Sequence, residues 1–395
     1  MNYTRLGRNT VNAVRFAEIL QVFVRHGFAD LLRRAGFQDG MPARFLRGMN
    51  LMNAQEGEPE TLGTRLRSAL TELGPTFVKM GQVLSTRPDL VGAKMAGELS
   101  ALQDEVQALP FERMALVIEA ELGKPVSELF ASLDEEAVGA ASLSQVYRAA
   151  TLEGENVAVK VQRPDIEKII ESDLSLMRSV AEWIADHIED GKMIDPVGIV
   201  EEFTRSIRRE LDFDVEARVL DMFCANFEGD GRVIIPRVYH DYSARRVLTL
   251  EWVDGVRVDD IAAYPGRNSD PAKVAVLGIE ILCEMVFDHR LFHADPHPGN
   301  IFLVSDNRLA FLDLGMAGHL EKSDVAAFTD LFMAIFHDNS RECVDAILAL
   351  TTQDEPVRPE GFVHEVAEYI AFEVPSIIAG GQLSRGIELV VQIAK

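Results

Sequence analysis

Cysteine is scarce in this chain of 395 residues, which contains three, at positions 224, 283 and 343. They are far apart, odd in number and without the spacing of metal ligands, so we expect no disulfide framework and no cysteine-based metal site. The chain also shows no secretory signal and no run that approaches the roughly 20 apolar residues of a membrane-spanning helix. These absences exclude a disulfide-rich secreted domain and predict a reducing compartment.

Basic residues are few, since 39 Lys and Arg stand against 63 Asp and Glu, for a formal net charge of -24. This charge argues against a generic nucleic-acid binder. Residues 1–50 differ, because eight arginines and three acidic residues give them a formal charge of +5. A helix is predicted at 10–35, with apolar positions Val11, Val14, Leu20, Phe23, Leu31 and Leu32. This segment therefore has two interpretations: it rests on anionic lipid, or it packs against the rest of the protein.

The chain has no internal repeat or low-complexity tract, and its character changes near residue 137. Helical patterns dominate before that point. Two strands are predicted after it, at Gln145–Ala150 and Asn156–Gln162, and one helix from about Asp195 to Phe227. The order of elements predicts an α+β, bilobal protein-kinase-like fold, with a small sheet-containing N-lobe, a mostly helical C-lobe and an N-terminal helical extension. We divide the chain into a basic amphipathic helical segment, a helical extension, an N-lobe with inserted helices and a helical C-lobe, at residues 1–60, 61–136, 137–253 and 254–395.

The string His-Ala-Asp-Pro-His-Pro-Gly-Asn at residues 293–300 has the spacing of a kinase catalytic loop, His-x-Asp-x-x-x-x-Asn. Asp313-Leu314-Gly315 follows it and is close to the Asp-Phe-Gly metal-binding turn. Phosphoryl transfer needs a carboxylate that orients a hydroxyl and oxygen ligands that hold Mg²⁺. The pattern therefore predicts Asp295 in the catalytic-base position, Asn300 and Asp313 as metal ligands, and ATP or ADP with Mg²⁺ as cofactors.

Lys160 ends the string Val-Ala-Val-Lys on a predicted strand, where a lysine can reach the α- and β-phosphates of a nucleotide. In a kinase fold a glutamate holds this lysine. Residues 209–217 supply carboxylates on one predicted helix, where Asp212 and Glu216 share a face, as do Glu210 and Asp214. Without the kinase context, such crowding is typical of a solvated helix face.

The glycine-rich phosphate loop Gly-x-Gly-x-x-Gly is absent. In its place stand Val138, Gly139, Ala140, Ala141, Ser142, Leu143, Ser144, Gln145 and Val146. Alanine side chains restrict how closely such a loop covers phosphates, whereas Ser142, Ser144 and Gln145 add polar groups to it. Residues 247–255 match the strand and hinge between kinase lobes, where the backbone of Glu251–Val253 would bind an adenine edge. A buried core strand is the other, compatible interpretation of that passage.

The string Lys79-Met80-Gly81-Gln82 has no counterpart in ordinary kinases. Together with the alanine-containing loop, residues 157–164, Glu210-Leu211-Asp212 and the catalytic loop, it resembles the UbiB (AarF-like) family of atypical kinases over about residues 60–340. The resemblance implies that Lys79 and Gln82 lie on a helical extension folded over the active site. They would meet Glu210 and Asp212 there, in place of a protein substrate, and Glu216 would be the partner of Lys160.

The resemblance further implies ATP binding and hydrolysis, rather than protein phosphorylation, in ubiquinone or other isoprenoid-lipid metabolism at membranes. The expected partners are nucleotide, prenyl-lipid or quinone precursors, quinone-biosynthesis enzymes and an anionic membrane surface, but no nucleic acid. We expect a cytoplasmic protein that is peripheral on the inner membrane. Two features depart from the family pattern. Gly139 stands where an alanine is frequent, which bears on nucleotide preference, and the sequence stops at Lys395 without the C-terminal membrane-spanning helices of many bacterial members.

Three other functions fit part of the pattern. A small-molecule kinase of the aminoglycoside or choline type shares the catalytic loop, but the Lys-x-Gly-Gln string and the Glu-x-Asp pair argue against it. A protein kinase is disfavoured because His293 is not followed by Arg and His297 stands where Lys is usual. A nucleotide-binding pseudokinase that serves as a scaffold or lipid chaperone is disfavoured because Lys160, Asp295 and both metal ligands are retained.

Overall fold

The computed structural model describes residues 3–29, 61–102, 107–187, 195–337, 339–351, 363–364, 366–368 and 371. The chain forms two compact units. The first unit comprises Met1–Asp221 with Pro236–Trp252, and the second comprises Met222–Ile235 with Val253–Lys395. Among the described residues, no helix is both long and apolar enough to cross a membrane.

The first unit begins with a group of helices around an apolar cluster. They are α1 (Tyr3–Arg25), α2 (Leu62–Leu73), α3 (Pro75–Ser85), α4 (Pro88–Val91) and α5 (Ala93–Leu99). Thr61 caps α2 by accepting a hydrogen bond from the Thr64 amide. Gly74 then adopts a φ of 99°, which favours glycine, and Pro75 begins α3 at a position where a missing amide hydrogen has no cost. This tight junction sets the direction of α3, which carries Lys79.

Helix α1 packs against the other helices of the first unit. For the described part of the basic segment, this favours packing against the protein over contact with anionic lipid. Ile19, Val22 and Phe28 are buried in one cluster with residues of α2, α3 and α5. Arg15 pairs with Asp173 at 2.8 Å, and Arg25 pairs with Glu72. These two arginines are therefore used in protein contacts rather than left for lipid.

The predicted extent of this helix was wrong at its C-terminal end. Helix α1 ends at Arg25 because the chain turns at Gly27, which has a φ of 82°. Val14 is exposed, whereas Leu20 is buried and Phe23 packs against the same cluster. Leu31 and Leu32 lie outside the described residues.

A five-stranded sheet forms the centre of the first unit. It follows α6 (Phe111–Leu122) and α7 (Val126–Leu129) and contains β1 (Phe130–Leu133), β2 (Gly139–Ala140), β3 (Ser144–Thr151), β4 (Asn156–Gln162) and β6 (Val247–Glu251). The order is β1-β3-β4-β6, with β2 beside β3, and the β3–β4 and β4–β6 pairs are antiparallel. Val157, Val159 and Val161 are fully buried along β4, as the period of two in a strand requires. Ala158 and Lys160 consequently point to the other face of the sheet.

Helices α8 (Ile166–His187), α9 (Pro196–Glu210) and α10 (Phe213–Asn226) follow β4. The single helix predicted from Asp195 to Phe227 was wrong, because the chain breaks between Glu210 and Phe213. The Phe213 amide donates to the carbonyl of Arg245, which is distant in sequence, and Asp212 caps the new helix by accepting from the Asp214 amide at 3.1 Å. Asp212 and Glu216 therefore do not share the face of one continuous helix, and neither do Glu210 and Asp214.

The second unit has two small sheets and several helices. One sheet has the order β5-β10-β9-β7, from strands Val233–Ile234, Leu309–Phe311, Ile301–Leu303 and Val256–Arg257. The other pairs β8 (Leu291–His293) with β11 (Ala317–His319). Helix α11 (Pro271–Cys283) continues into a π-helical turn at Glu284–His289, and α12 (Lys322–Phe336) packs with α13 (Ser340–Leu350). Described residues of the chain thus form an α+β structure.

Candidate functional site

Lys160 and Glu216 are in contact in the first unit. The Lys160 ammonium lies 2.8 and 2.9 Å from the two carboxylate oxygens of Glu216, whose side chain is 6% exposed. The same ammonium lies 5.2 Å from the centre of the Phe213 ring. Because the helix break places Glu216 in the first turn of α10, its carboxylate also lies near the positive end of that helix. A lysine held in this way has a fixed direction, as a phosphate-binding lysine in a kinase requires.

Lys79 and Glu210 form a second ion pair, between α3 and the last residue of α9. Their charged atoms are 2.6 Å apart, and the side chains are 17% and 33% exposed. Lys79 follows the junction at Gly74 by just over one turn of helix, so its direction depends on how α3 is held. The pair joins the Lys-x-Gly-Gln helix to the Glu-x-Asp segment.

The other contacts expected of these two motifs differ. The Asp212 carboxylate caps α10 and lies 4.0 Å from the guanidinium of Arg245 rather than beside Lys79. Gln82 is half-buried, and its backbone carbonyl accepts a hydrogen bond from the Ser85 hydroxyl. In the described part of the chain, no hydrogen bond joins the Gln82 amide to Glu210 or Asp212. The reason is the same helix break, which directs Asp212 toward α10.

The alanine-containing loop is a tight hairpin at the edge of the sheet. Gly139 and Ala140 pair with Val146 and Gln145, and the Ala141 amide donates to the Ser144 carbonyl. Val138 is 54% exposed and Gly139 is also exposed. The more exposed part of the loop is therefore its first arm, where Val138 and Gly139 are exposed and Ala140 and Ala141 are half-buried.

The sequence indicated that three polar side chains belong to this loop, and the structure shows that they point inward. Ser142, Ser144 and Gln145 are all buried, as is Leu143. Gln145 accepts from the Leu109 amide at 2.6 Å and donates to the Tyr147 hydroxyl at 2.6 Å, so it fastens β3 to the segment before α6. The Ser142 hydroxyl has no hydrogen-bond partner within the described structure. A buried hydroxyl without a partner is costly, and a bound ligand is one way to satisfy it.

Arg163, which was not singled out from the sequence, holds the base of this loop. Its Nε donates to the Ala141 carbonyl at 2.8 Å and its amide donates to the Leu143 carbonyl at 2.9 Å. The basic residue directly after β4 is a weak signal, because many strands end in a charged residue. Its role depends on the hairpin geometry, which composition does not reveal.

Two backbone amides of the expected hinge are already used inside the first unit. The Glu251 amide donates to the Arg237 carbonyl at 2.8 Å, and the Trp252 amide donates to the Asn156 carbonyl at 3.1 Å. The Trp252 ring also lies under the guanidinium of Arg148, at 4.9 Å. Val253 begins the next part of the chain, in the second unit. The Glu251 amide is thus unsuited to an adenine contact, which leaves its carbonyl for that purpose.

The catalytic-loop residues lie in the second unit, after β8. The side chain of Asp295 is 49% exposed, and the His297 Nε2 atom lies 4.0 Å from its carboxylate. The His297 Nδ1 atom accepts from the Gly299 amide at 3.0 Å. A Cβ atom on Gly299 would lie 2.7 Å from the imidazole ring, so a larger residue there would displace the His297 side chain. The loop is therefore compact, and its carboxylate is accessible.

His293 is buried beneath the catalytic loop and contacts its backbone. It is 3% exposed, and its Nδ1 atom accepts the Asp295 amide at 3.3 Å. Burial lowers the pKa of His293 below its ordinary value of 6.5, with an opposing contribution from the nearby Asp313 carboxylate. The imidazole is thus neutral at pH 7, and it orients the backbone that carries Asp295.

Asn300 and Asp313 are brought together by the β9–β10 hairpin. Ile301 pairs with Phe311, so Asn300 and Asp313 stand just beyond the same end of the two strands. The Leu312 amide donates to the Asn300 carbonyl at 2.9 Å, and the Gly315 amide donates to an Asp313 carboxylate oxygen at 3.0 Å. The described residues contain no group of three or more His, Cys, Asp or Glu side chains able to hold a metal. One carboxylate with one amide instead suits Mg²⁺, which commonly takes its remaining ligands from phosphate and water.

Comparisons with known proteins agree with the family that the motifs indicated. The profile described as the ABC1 atypical kinase-like domain matches residues 101–347. A probable protein kinase UbiB from Cellvibrio japonicus is 36% identical over 340 residues, which are 84% of this chain and 60% of that protein. Protein ACTIVITY OF BC1 COMPLEX KINASE 7, chloroplastic, from Arabidopsis thaliana is 36% identical over 314 residues, 80% of this chain and 44% of that protein.

The chain spans about half the length of the curated relatives that it matches. Among solved structures, the complex of Rv3197 with erythromycin from Mycobacterium tuberculosis is similar, with a TM-score of 0.54 and 24% sequence identity. That similarity covers 78% of each chain. At this identity it supports the fold alone, and with the family match it confirms the expected kinase-like fold.

Proposed function

Because the chain belongs to the ABC1 atypical kinase-like family, we propose that it is an atypical kinase or ATPase that binds Mg-nucleotide. In the proposal it supports ubiquinone or other isoprenoid-lipid biosynthesis at a membrane. The observation that carries the proposal is the contact of Lys160 with both carboxylate oxygens of Glu216. A pseudokinase has no need to retain this pair, nor to retain Asp295, Asn300 and Asp313 in the second unit.

The residues present fit a Mg-nucleotide. Asn300 and Asp313 offer oxygen ligands of the type that Mg²⁺ prefers, and the Ser142 hydroxyl is a buried group in need of a partner. When bound, the metal would neutralise charge that develops on the transferred phosphoryl group. Lys160 would then bind nucleotide phosphates, and Asp295 would orient a hydroxyl or a water molecule. The Glu251 carbonyl and the Val253 amide would bind the adenine edge, and the backbone of Val138–Ala141 would cover the phosphates.

The lipid pathway and the membrane belong to the same proposal. The resemblance to the UbiB family, which is linked to ubiquinone metabolism, supports a role in quinone synthesis, and two bacterial relatives carry the name probable protein kinase UbiB. The substrate class would be a prenyl-lipid or quinone precursor, and quinone-biosynthesis enzymes would be partners. Membrane association would be peripheral and cytoplasmic, at the inner membrane. Since Arg15 and Arg25 are used in ion pairs, an anionic surface would contact other basic residues of the first fifty.

Nucleotide hydrolysis in the presence of a prenylated phenol tests this proposal. We expect Mg²⁺-dependent hydrolysis that rises when anionic vesicles carrying the phenol are added, and that falls by at least a hundredfold in Asp295→Asn. Sedimentation of the same vesicles reports membrane binding. Absence of hydrolysis under both conditions, with nucleotide binding intact, would identify a pseudokinase instead.

Lys79 is expected to control nucleotide handling. Lys79→Ala removes the ion pair with Glu210 and loosens α3 from α9. A contact worth about 1 kcal/mol changes an equilibrium about fivefold. We therefore expect nucleotide affinity, hydrolysis or autophosphorylation to change by about threefold or more. Lys94→Ala, on the exposed side of α5, is the control for loss of a lysine. If purified Lys79→Ala matches the wild type in all three measurements, Lys79 has a purely structural role.

A further inference from the structure

The second unit contains a cavity of about 270 Å³ that the proposed function does not use. Its closed end is formed by Val274, Leu309 and Phe311, each at most 2% exposed. Its open end is lined by Ile261, Pro271 and Ala275, which are exposed. The cavity is therefore a blind pocket with a mouth at the surface, between the N-terminal half of α11 and the β9–β10 hairpin.

The chemistry of the wall is apolar. Its hydroxyl-bearing residue, Tyr264, is 3% exposed and already donates to the Val258 carbonyl at 2.8 Å. Burial also raises the pKa of Tyr264, so the phenol is neutral at pH 7. The other lining residues are aliphatic, aromatic, Pro or Gly. A water molecule in a protein needs two to four polar partners, and Tyr264 is the one lining residue whose side chain carries a polar group.

The size of the pocket limits the ligand. An apolar cavity of about 150 Å³ is enough to bind benzene, so about 270 Å³ admits a substituted ring or a short branched chain. A charged group would lose its hydration there without compensation. We propose that this pocket is a binding site for an uncharged hydrocarbon group, a ring or short branched chain, which enters between Ile261 and Ala275. This inference does not depend on the proposed nucleotide chemistry.

The pocket lies directly behind the two candidate metal ligands. Ile301, next to Asn300, lines it, and so does Phe311, two residues before Asp313. Successive side chains of a strand point to opposite faces, so Phe302 points away from the pocket, toward Gly255. An occupant would therefore pack against one face of the hairpin and restrain both strands.

Gly278 provides a direct test, because it lines the pocket without filling it. A Cβ atom there would meet its nearest neighbour, Leu309, at 3.8 Å, which is an ordinary contact. Gly278→Leu should place its side chain in the cavity, and Gly278→Ala should fill it in part with little risk to folding. Gly97→Leu is the matched control, since Gly97 is also a helical glycine with open space around it.

The probes are butylbenzene and 4-butylbenzoate, which share a ring and chain but differ in charge. For the full chain, isothermal calorimetry should show saturable 1:1 binding of butylbenzene and at least tenfold weaker binding of 4-butylbenzoate. Binding should weaken in Gly278→Ala, vanish in Gly278→Leu and persist in Gly97→Leu. Amide hydrogen exchange should slow severalfold at residues 301–303 and 309–311 when butylbenzene is bound.

Three results would overturn the inference. These are no saturable binding of butylbenzene, equal binding of the two probes, or undiminished binding in Gly278→Ala. In each case the cavity is not a specific binding site for an uncharged hydrocarbon group. None of these results depends on nucleotide binding or hydrolysis, so failure here leaves the proposed function intact.

Discussion

Glu216→Ala is expected to lower the free energy of unfolding by about 3 kcal/mol, the lower end of the range for breaking a buried ion pair. The Glu216 side chain is 6% exposed and that of Lys160 is 17% exposed, so water screens their charges only in part. Removing the carboxylate takes two short contacts from an ammonium that also lies against the Phe213 ring. Urea unfolding of both proteins measures the loss.

Three variants separate the ion pair from other effects. Glu216→Gln keeps the shape and one acceptor, so its loss should be smaller. When Glu216→Ala is introduced into Lys160→Met, the loss of unfolding free energy should be smaller, because the charge interaction is already absent. The double-mutant cycle thus measures that interaction. Glu182→Ala breaks the exposed pair with Arg178 and should cost about 0.5 kcal/mol at most. Equal losses for Glu216→Ala and Glu182→Ala would contradict a buried, functional pair.

Asp173→Ala is expected to have an effect of similar size, about 3–5 kcal/mol, because it removes the centre of a buried polar network. Asp173 is 1% exposed, accepts two hydrogen bonds from Arg15, and accepts another from the Thr76 hydroxyl at 2.7 Å. Thr76 is fully buried, so its hydroxyl would lose its acceptor. Arg15 also donates to the Leu73 carbonyl, at the junction that leads into α3. The change should therefore loosen both α1 and α3.

Limited proteolysis and urea unfolding together check this result. Asp173→Ala should unfold at lower urea and release α1 faster to protease, whereas Asp173→Asn, which keeps acceptors, should lose less. Glu171→Ala is the control on the same helix, since it breaks only the exposed pair with Arg208. If Asp173→Ala unfolds like the wild type, the network does not hold α1 in place.

The strands were predictable because two runs of strand-forming residues lie on either side of a turn at Gly154, and buried and less buried positions alternate along most of β4. The His-x-Asp-x-x-x-x-Asn and Asp-Leu-Gly strings could be recognised because their spacing is unusual, and the roles of their residues stay predictions. The helix break between Glu210 and Phe213 could not be predicted, because neither glycine nor proline marks it. It depends on the hydrogen bond from the Phe213 amide to the carbonyl of Arg245, far along the chain. A helix pattern carries no information about such a long-range hydrogen bond.

The burial of several polar side chains could not be predicted from the sequence either. Glutamine is usually found at the surface, yet Gln145 is buried and accepts a hydrogen bond from the backbone of Leu109, 36 residues earlier. The Arg15–Asp173 pair joins residues 158 apart, so no local pattern indicates it. The Lys79–Glu210 contact was expected only because the motifs resemble a known family. Distances between remote residues depend on packing, which a single sequence does not show.

Thermal unfolding with Mg-ATP or Mg-ADP, compared between wild type and Asp313→Asn, tests the central claim most directly. A nucleotide at 100 times its dissociation constant stabilises the folded protein by about 2.7 kcal/mol, which is readily seen in a melt. We predict a Mg²⁺-dependent rise in the melting temperature of the wild type that Asp313→Asn loses and Glu321→Gln, at an exposed carboxylate, retains. An unchanged Mg²⁺-dependent shift in Asp313→Asn, or no shift in the wild type, would contradict the assignment of a Mg-nucleotide site.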